Sequence, residues 1–259
     1  MEYRGSRQLQ PVALALAKWV AYPCAIMIIG KSILSWYQDE ISLSAELIDS
    51  FVKAVEKQAA ESVVGYEKEK ETHVLEDDAL HGEESYVRLI ETHEGLDSET
   101  WDLARIFKEY FPSLQRRSAF LTIWGYFEHE VDRLCALYKS EKGFRLDLAD
   151  LLGTGIDRST AYLEKVAGLN VHKTSQEWDR IKKIQKVRNI VAHRDGRLAD
   201  RNGTPEKAVL GYIDETESLA RNGEIMVKKG FLAYVLDTFN AYFKLLGGSI
   251  ATNEALLKK

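Results

Sequence analysis

Arg188, Asn189 and His193 bring a guanidinium, an amide and an imidazole into one short stretch, Arg188-Asn189-Ile190-Val191-Ala192-His193. Val187 and Val191 belong to an apolar stripe, so the three polar residues fall beside it. Asn189 and His193, four apart, share a helix face, and Arg188 lies one residue further round. Histidine moves protons near neutral pH, and arginine holds phosphate bidentately and stabilises negative charge that grows in a transition state. Such a set suits RNA transesterification, in which a ribose 2′-hydroxyl attacks the adjacent phosphorus and the 5′-oxygen leaves. That chemistry needs no metal ion, and no Asp/Glu/His ligand cluster surrounds the stretch. In-line cleavage uses both a base and an acid, whereas the motif supplies one histidine per chain. A homodimer across this helix would supply the second.

The helix that carries these residues announces itself. Thr174-Ser175-Gln176-Glu177 fits the capping-box pattern. Trp178, Ile181, Ile184, Val187 and Val191 follow at helical spacing, and Gly196 ends the run. Charge is distributed unevenly around it. The net charge is -5, yet Lys173 to Arg201 has 9 Lys/Arg against 4 Asp/Glu, a net of +5, while Glu56 to Glu109 has 6 against 16, a net of -10. Phosphate binding needs a concentrated positive surface rather than a positive sum. Lys183, Lys186, Arg194 and Arg197 are the candidate RNA-binding cations of the basic segment.

Other helices are predicted from the same periodicity. Leu43, Leu47, Phe51, Val55 and Ala59 predict a helix over Ser42 to Tyr66. Glu67 to Asp97, acidic and weakly periodic, is expected to be a long surface helix or a connection. Trp101, Ala104, Phe107 and Tyr110 predict a short helix closed by Pro112. Phe120, Ile123, Trp124, Phe127, Val131, Leu134 and Tyr138 predict a central core helix from Ser113 to Lys139, stopped by Gly143. Two short helices, Leu146 to Leu152 and Ile156 to Val166, should follow. Val209, Gly211 and Ile213 alternate, and Asn222-Gly223 favours a tight turn, so Ala208 to Lys228 is expected to be a two-stranded ribbon. A last helix from Phe231 is expected to end at Gly247-Gly248.

Composition excludes several classes. Hydrophobic content of 45%, charged content of 29% and only 4 prolines describe a folded globular chain. Cys24 and Cys135 lie far apart in different segments, make no metal-ligand spacing and give no disulfide framework, which favours a reducing compartment and a cytoplasmic location. Val12 to Gly30 is apolar apart from Lys18 and about the length of a bilayer span, so a membrane tether is the alternative. Lys18, Pro23 and Lys31 argue against it, and a start at Met27 would place most of that stretch upstream of the working protein. Residues 1–40 are therefore expected to be an apolar extension and residues 41–259 a helical domain. His73, His81 and His93 match no compact ligand pattern and are expected on the surface; no metal or cofactor is expected.

Residues Arg188 to His193 also match the Arg-Asn-x-x-x-His form of the HEPN superfamily (higher eukaryotes and prokaryotes nucleotide-binding domains). Arg194-Asp195-Gly196-Arg197-Leu198 resembles the polar, glycine-containing exit after that motif. Trp124-Gly125-Tyr126-Phe127-Glu128-His129-Glu130 with Leu134-Cys135 is similar to the Phe-Glu-His helix of bacterial members. The resemblance runs from Trp101 to Leu246. It implies a mostly all-α helical bundle, with the small hairpin before the C-terminal helix, that dimerises and places two Arg/His motifs in one cleft. Many members are metal-independent endoribonucleases of toxin–antitoxin, phage-defence or RNA-processing systems; others bind nucleotide, RNA or a partner protein without cleaving. Carried over, His193 is the acid/base, Arg188 the phosphate ligand and Asn189 the residue that orients either. Glu128 is a supporting candidate beside them. An antitoxin or activating partner is implied as well, although Asp195 stands where one toxin branch carries a tyrosine that its antitoxin modifies.

Overall fold

Six helices carry most of the fold among the residues that the computed structural model describes, 32–77, 86–199, 204 and 207–257. Helix α1 is Ile41–Glu69, α2 Phe111–Lys142, α3 Gly155–Lys165, α4 Gln176–Arg194, α5 Lys207–Glu215 and α6 Phe231–Leu257. The central helix α2 packs against α1, α3, α4 and α6, and α4 packs on α6. Its Phe120, Ile123, Trp124, Phe127, Val131 and Leu134 are buried at the helical spacing read from the sequence. Phe127 stacks on Phe239 of α6 with ring centroids 4.0 Å apart, and Trp124 meets the same ring edge-on. Aromatic pairs of this kind contribute beyond their buried area. Cys135 lies in this core, where burial pushes its thiol up and leaves it inert.

The structure departs from the sequence reading at several places. Residues 71–97 form an antiparallel sheet rather than a helix or plain connection: β1 Glu71–Asp77 pairs β2 Tyr86–His93, which pairs β3 Leu96–Asp97. Glu94 and Gly95 both have positive φ, 47° and 80°, as the tight turn between β2 and β3 requires. Acidic side chains hid the strand pattern, because this sheet has little core face; Val74, Val87 and Leu89 are more than half exposed. His93 is buried between Tyr66 and Phe107, which corrects its expected surface position.

Pro112 does not close a helix. A turn at Leu103–Arg105 and a π-helical stretch Ile106–Tyr110 run directly into α2. Proline lacks an N–H and crowds the carbonyl one turn back. The wider π register, closed by the Phe111 N–H on the Ile106 carbonyl, puts Pro112 in the first turn of a new α-helical run, where both defects are tolerated.

Val209, Tyr212 and Ile213 lie on the buried side of a helix, α5, not of a strand. The ribbon is shorter than expected, β4 Leu219–Arg221 and β5 Ile225–Val227, and turns at Asn222-Gly223. Helix α6 runs through Gly247-Gly248. A Cβ at Gly247 would lie 2.1 Å from the Tyr37 ring, so the glycine admits a neighbour rather than ending the helix.

That neighbour belongs to the expected extension, and the packed domain therefore begins before residue 41. A short turn, Ile33–Ser35, and a π-helical stretch, Trp36–Glu40, lead into α1. Ile33 and Trp36 are fully buried, and the Trp36 Nε1–H donates to Glu130 of α2 at 3.0 Å. Within α1, Val52 and Ala59 are buried, but Leu43 and Leu47 are 55% and 65% exposed, so the first turns of the predicted stripe face outward. The Leu146–Leu152 helix contracts to a single 3-10 turn, Leu148–Asp150. Val12 to Gly30 lies outside the described residues; among those described, no helix is long and apolar enough to cross a membrane.

Candidate active site

The Ser175 hydroxyl caps α4 by accepting the Trp178 N–H at 3.2 Å, and Glu177 and Asp179 in the first turn and His193 and Arg194 in the last complement the helix dipole. Trp178, Ile181, Ile184, Val187, Ile190 and Val191 are buried, which fixes the rotation of α4 and so the direction of every polar residue on it.

Arg188 sits in the groove between α4 and α2. Its Nη2 donates to Glu128 Oε2 at 3.3 Å, its Nη1 donates to Asn189 Oδ1 at 3.0 Å, and the guanidinium carbon lies 5.7 Å from the centre of the Trp124 ring. Trp124 and Glu128 are four apart on α2, so one face of that helix holds the guanidinium from below and from the side. Glu128 is itself confined: a Cβ at Gly155, where φ is +53°, would lie 2.5 Å from Glu128 Oε1. The sequence singled out Glu128 but not Trp124, whose place in the apolar stripe of α2 reads as core alone. His129, next to Glu128, is exposed.

His193 and Asn189 are exposed, and His193 makes no hydrogen bond to any described residue. Helix geometry sets His193 about 7.5 Å along the axis from Arg188 and about 140° round it. Arg188, Asn189 and Glu128 are thus brought together, while His193 stands one turn on and faces outward.

The exit after His193 is tightly fixed. Asp195 takes the left-handed conformation at φ +52°, and the Gly196 N–H, at φ +78°, turns back to the Ile190 carbonyl. Buried Arg117 of α2 donates to Asp195 Oδ1 at 2.7 Å and to Glu224 Oε2, in the ribbon, at 2.9 Å. A side chain at Gly196 would collide with this guanidinium, its Cβ 2.8 Å from the guanidinium carbon. The Arg-Asp-Gly run is therefore held by Arg117, which sequence periodicity did not reveal because its charge falls among the apolar positions of a core helix. The backbone of Arg197 pairs with that of Glu224 in an isolated antiparallel bridge, and the Ile225 N–H donates to the Gly196 carbonyl, so the ribbon is joined to the exit of α4.

Of the other candidate cations, Lys183, Lys186, Arg194 and Arg197 are all exposed. Lys183 lies over the Tyr212 ring, 5.8 Å from its centre, on a different side of α4 from His193. Comparison of the chain with protein-family profiles, with curated proteins and with solved structures gave no match.

Proposed function

We propose that this chain is a metal-independent endoribonuclease of the toxin–antitoxin or phage-defence kind, working as a homodimer. The observation that carries the reading is the end of α4: His193 is exposed and makes no hydrogen bond to a described residue, just beyond an arginine that Asn189 and the neighbouring helix α2 hold in place. In the proposed reaction the 2′-oxygen forms a bond to phosphorus as the bond to the 5′-oxygen breaks. One protomer's neutral His193 takes the 2′-hydroxyl proton, and the partner's protonated imidazole gives one to the leaving oxygen. Arg188 holds the non-bridging oxygens, and Asn189 orients the guanidinium. The products are a 2′,3′-cyclic phosphate and a 5′-hydroxyl.

The test is RNA cleavage by purified protein in excess chelator. His193→Ala and Arg188→Ala are each expected to abolish cleavage, a loss of about 100-fold or more, with the fold and the dimer preserved. Cleavage retained by both variants would refute the site.

A second reading has its own support. Arg188 is already engaged by Glu128, Asn189 and the Trp124 face, as an arginine serving an interface would be. A non-catalytic helical dimer that binds nucleotide, RNA or a partner protein would then show altered dimerisation or binding in the same variants and no cleavage at any concentration.

A further inference from the structure

A cavity of about 930 Å³ opens where α4, α5 and the start of α6 meet, away from the Arg188–Glu128 groove. Arg180 and Lys183 of α4 and Lys228 and Lys229, between β5 and α6, line it. All four are exposed, and none has an ion-pair partner among the described residues. By contrast, Lys182 and Arg188 on the same helix are paired with Asp157 and Glu128. Tyr212 and Tyr234 also line the cavity, their hydroxyls 3.5 Å apart, and Lys183 lies over the Tyr212 ring. Glu215 and Glu217 line it too without an ion pair to any of the four among the described residues, so the lining carries four cations against two carboxylates.

Arg180 and Lys183, one turn apart on α4, repel each other, and Lys228 and Lys229 add to the same edge, so the lining keeps an excess of positive charge over Glu215 and Glu217. An anion is the compensating charge. The cluster is also not isolated: Arg180, Lys183, Lys186 and Asn189 recur every three residues, and all are exposed. That spacing winds a polar stripe around α4 from the cavity to the face of His193, about 20 Å along the axis from Arg180. A single phosphate would occupy one end of this stripe only. A cationic track that ends on two aromatic rings is what a single-stranded nucleic acid takes.

We infer that this cavity is an exosite for the phosphate backbone of single-stranded RNA, receiving the strand that leaves the His193 face along α4. The inference rests on the proposed RNA substrate and adds to it where the rest of that substrate lies.

Binding is measured in a His193→Ala background, so that no cleavage intervenes, by fluorescence anisotropy with a labelled single strand of about 12 nucleotides. R180A/K183A/K228A/K229A should weaken binding by about tenfold or more and reduce the slope of log affinity against log salt by about 3, given about 0.7 per phosphate contact in single strands. R180K/K183R/K228R/K229R should keep both, which separates lost charge from a lost fold. Unchanged affinity and slope in the alanine variant overturns the exosite. So does full displacement of the strand by a mononucleotide at equal phosphate concentration, which marks a pocket for free nucleotide instead. The two ideas fail separately. Cleavage by wild type with unaltered binding in the alanine variant removes the exosite alone, and absent cleavage with the expected loss of binding removes the nuclease alone.

Discussion

At the scale of the residue, the placement of Arg188 rests on its contact with Glu128. An arginine in a groove has many rotamers, and holding it to one orientation is what a neighbouring carboxylate does. Glu128→Ala removes that constraint and opens space beside Gly155. If Arg188 clamps the scissile phosphate, kcat should fall about 10-fold to 100-fold with a smaller change in KM, since misplacement of a reacting group by about 1 Å costs on that order. Glu128→Gln retains the shape and one hydrogen-bond acceptor and should restore most of the rate. Unchanged kcat in Glu128→Ala would mean that Glu128 does not position Arg188. Arg117 works at the same scale on His193, by fixing Asp195 and Gly196 behind it.

At the scale of the element, helices here continue through residues that ordinarily stop them, each because of a specific neighbour. Gly247 is the clearest case. Alanine in a helix interior gains about 1 kcal/mol over glycine. Here its Cβ would meet the Tyr37 ring at 2.1 Å, and overpacking costs about 1–3 kcal/mol. Gly247→Ala should therefore lower the urea midpoint. Combined with Tyr37→Ala, it should cost less than the sum of the two single changes, because the two sites touch. A Gly247→Ala chain more stable than wild type would show that the ring moves aside at no cost. The segment before α1 is the other half of this contact, and its place against α6 is what turns Gly247 from a helix stop into a packing surface.

At the scale of the whole molecule, one buried carboxylate joins that segment to the central helix. Glu130 is almost fully buried and accepts the Trp36 indole N–H. Arg133 lies 3.7 Å away and also pairs with Glu40. Burial raises the Glu130 carboxyl above the ordinary carboxylate range, against the pull of the Trp36 hydrogen bond and the His129 charge. The native state thus binds the proton more tightly than the unfolded chain does. The stability this contributes is complete below the ordinary carboxylate value and is lost as pH rises through the higher native one. Glu130→Gln removes the titration, so its melting temperature relative to wild type should climb as pH rises from about 4 towards neutrality. Parallel curves for the two proteins would show that Glu130 keeps its charge when the chain folds.

Sequence by itself determined the helices that bury a continuous stripe. In α2, α4 and α6 the apolar residues repeat at helical spacing and burial sets rotation; Gly143 ends α2, and Ser175 and Gly196 bound α4, in the expected places, whereas α6 runs past its expected end. It also placed Asn189 and His193 on one exposed face, because that follows from spacing alone. Elements with little core of their own were not legible. The β1–β2 ribbon is mostly solvated and so has no alternating pattern to read, and α5 is too short for its period to stand clear of a strand's. Only the tertiary structure decided what Arg188 touches, why Gly196 is a glycine and where Lys228 and Lys229 meet Arg180. The first two depend on Trp124, Glu128 and Arg117, 60 to 79 residues away in sequence, and the third on the end of the ribbon, 48 or 49 residues on; periodicity along one segment carries no information about contacts of that range.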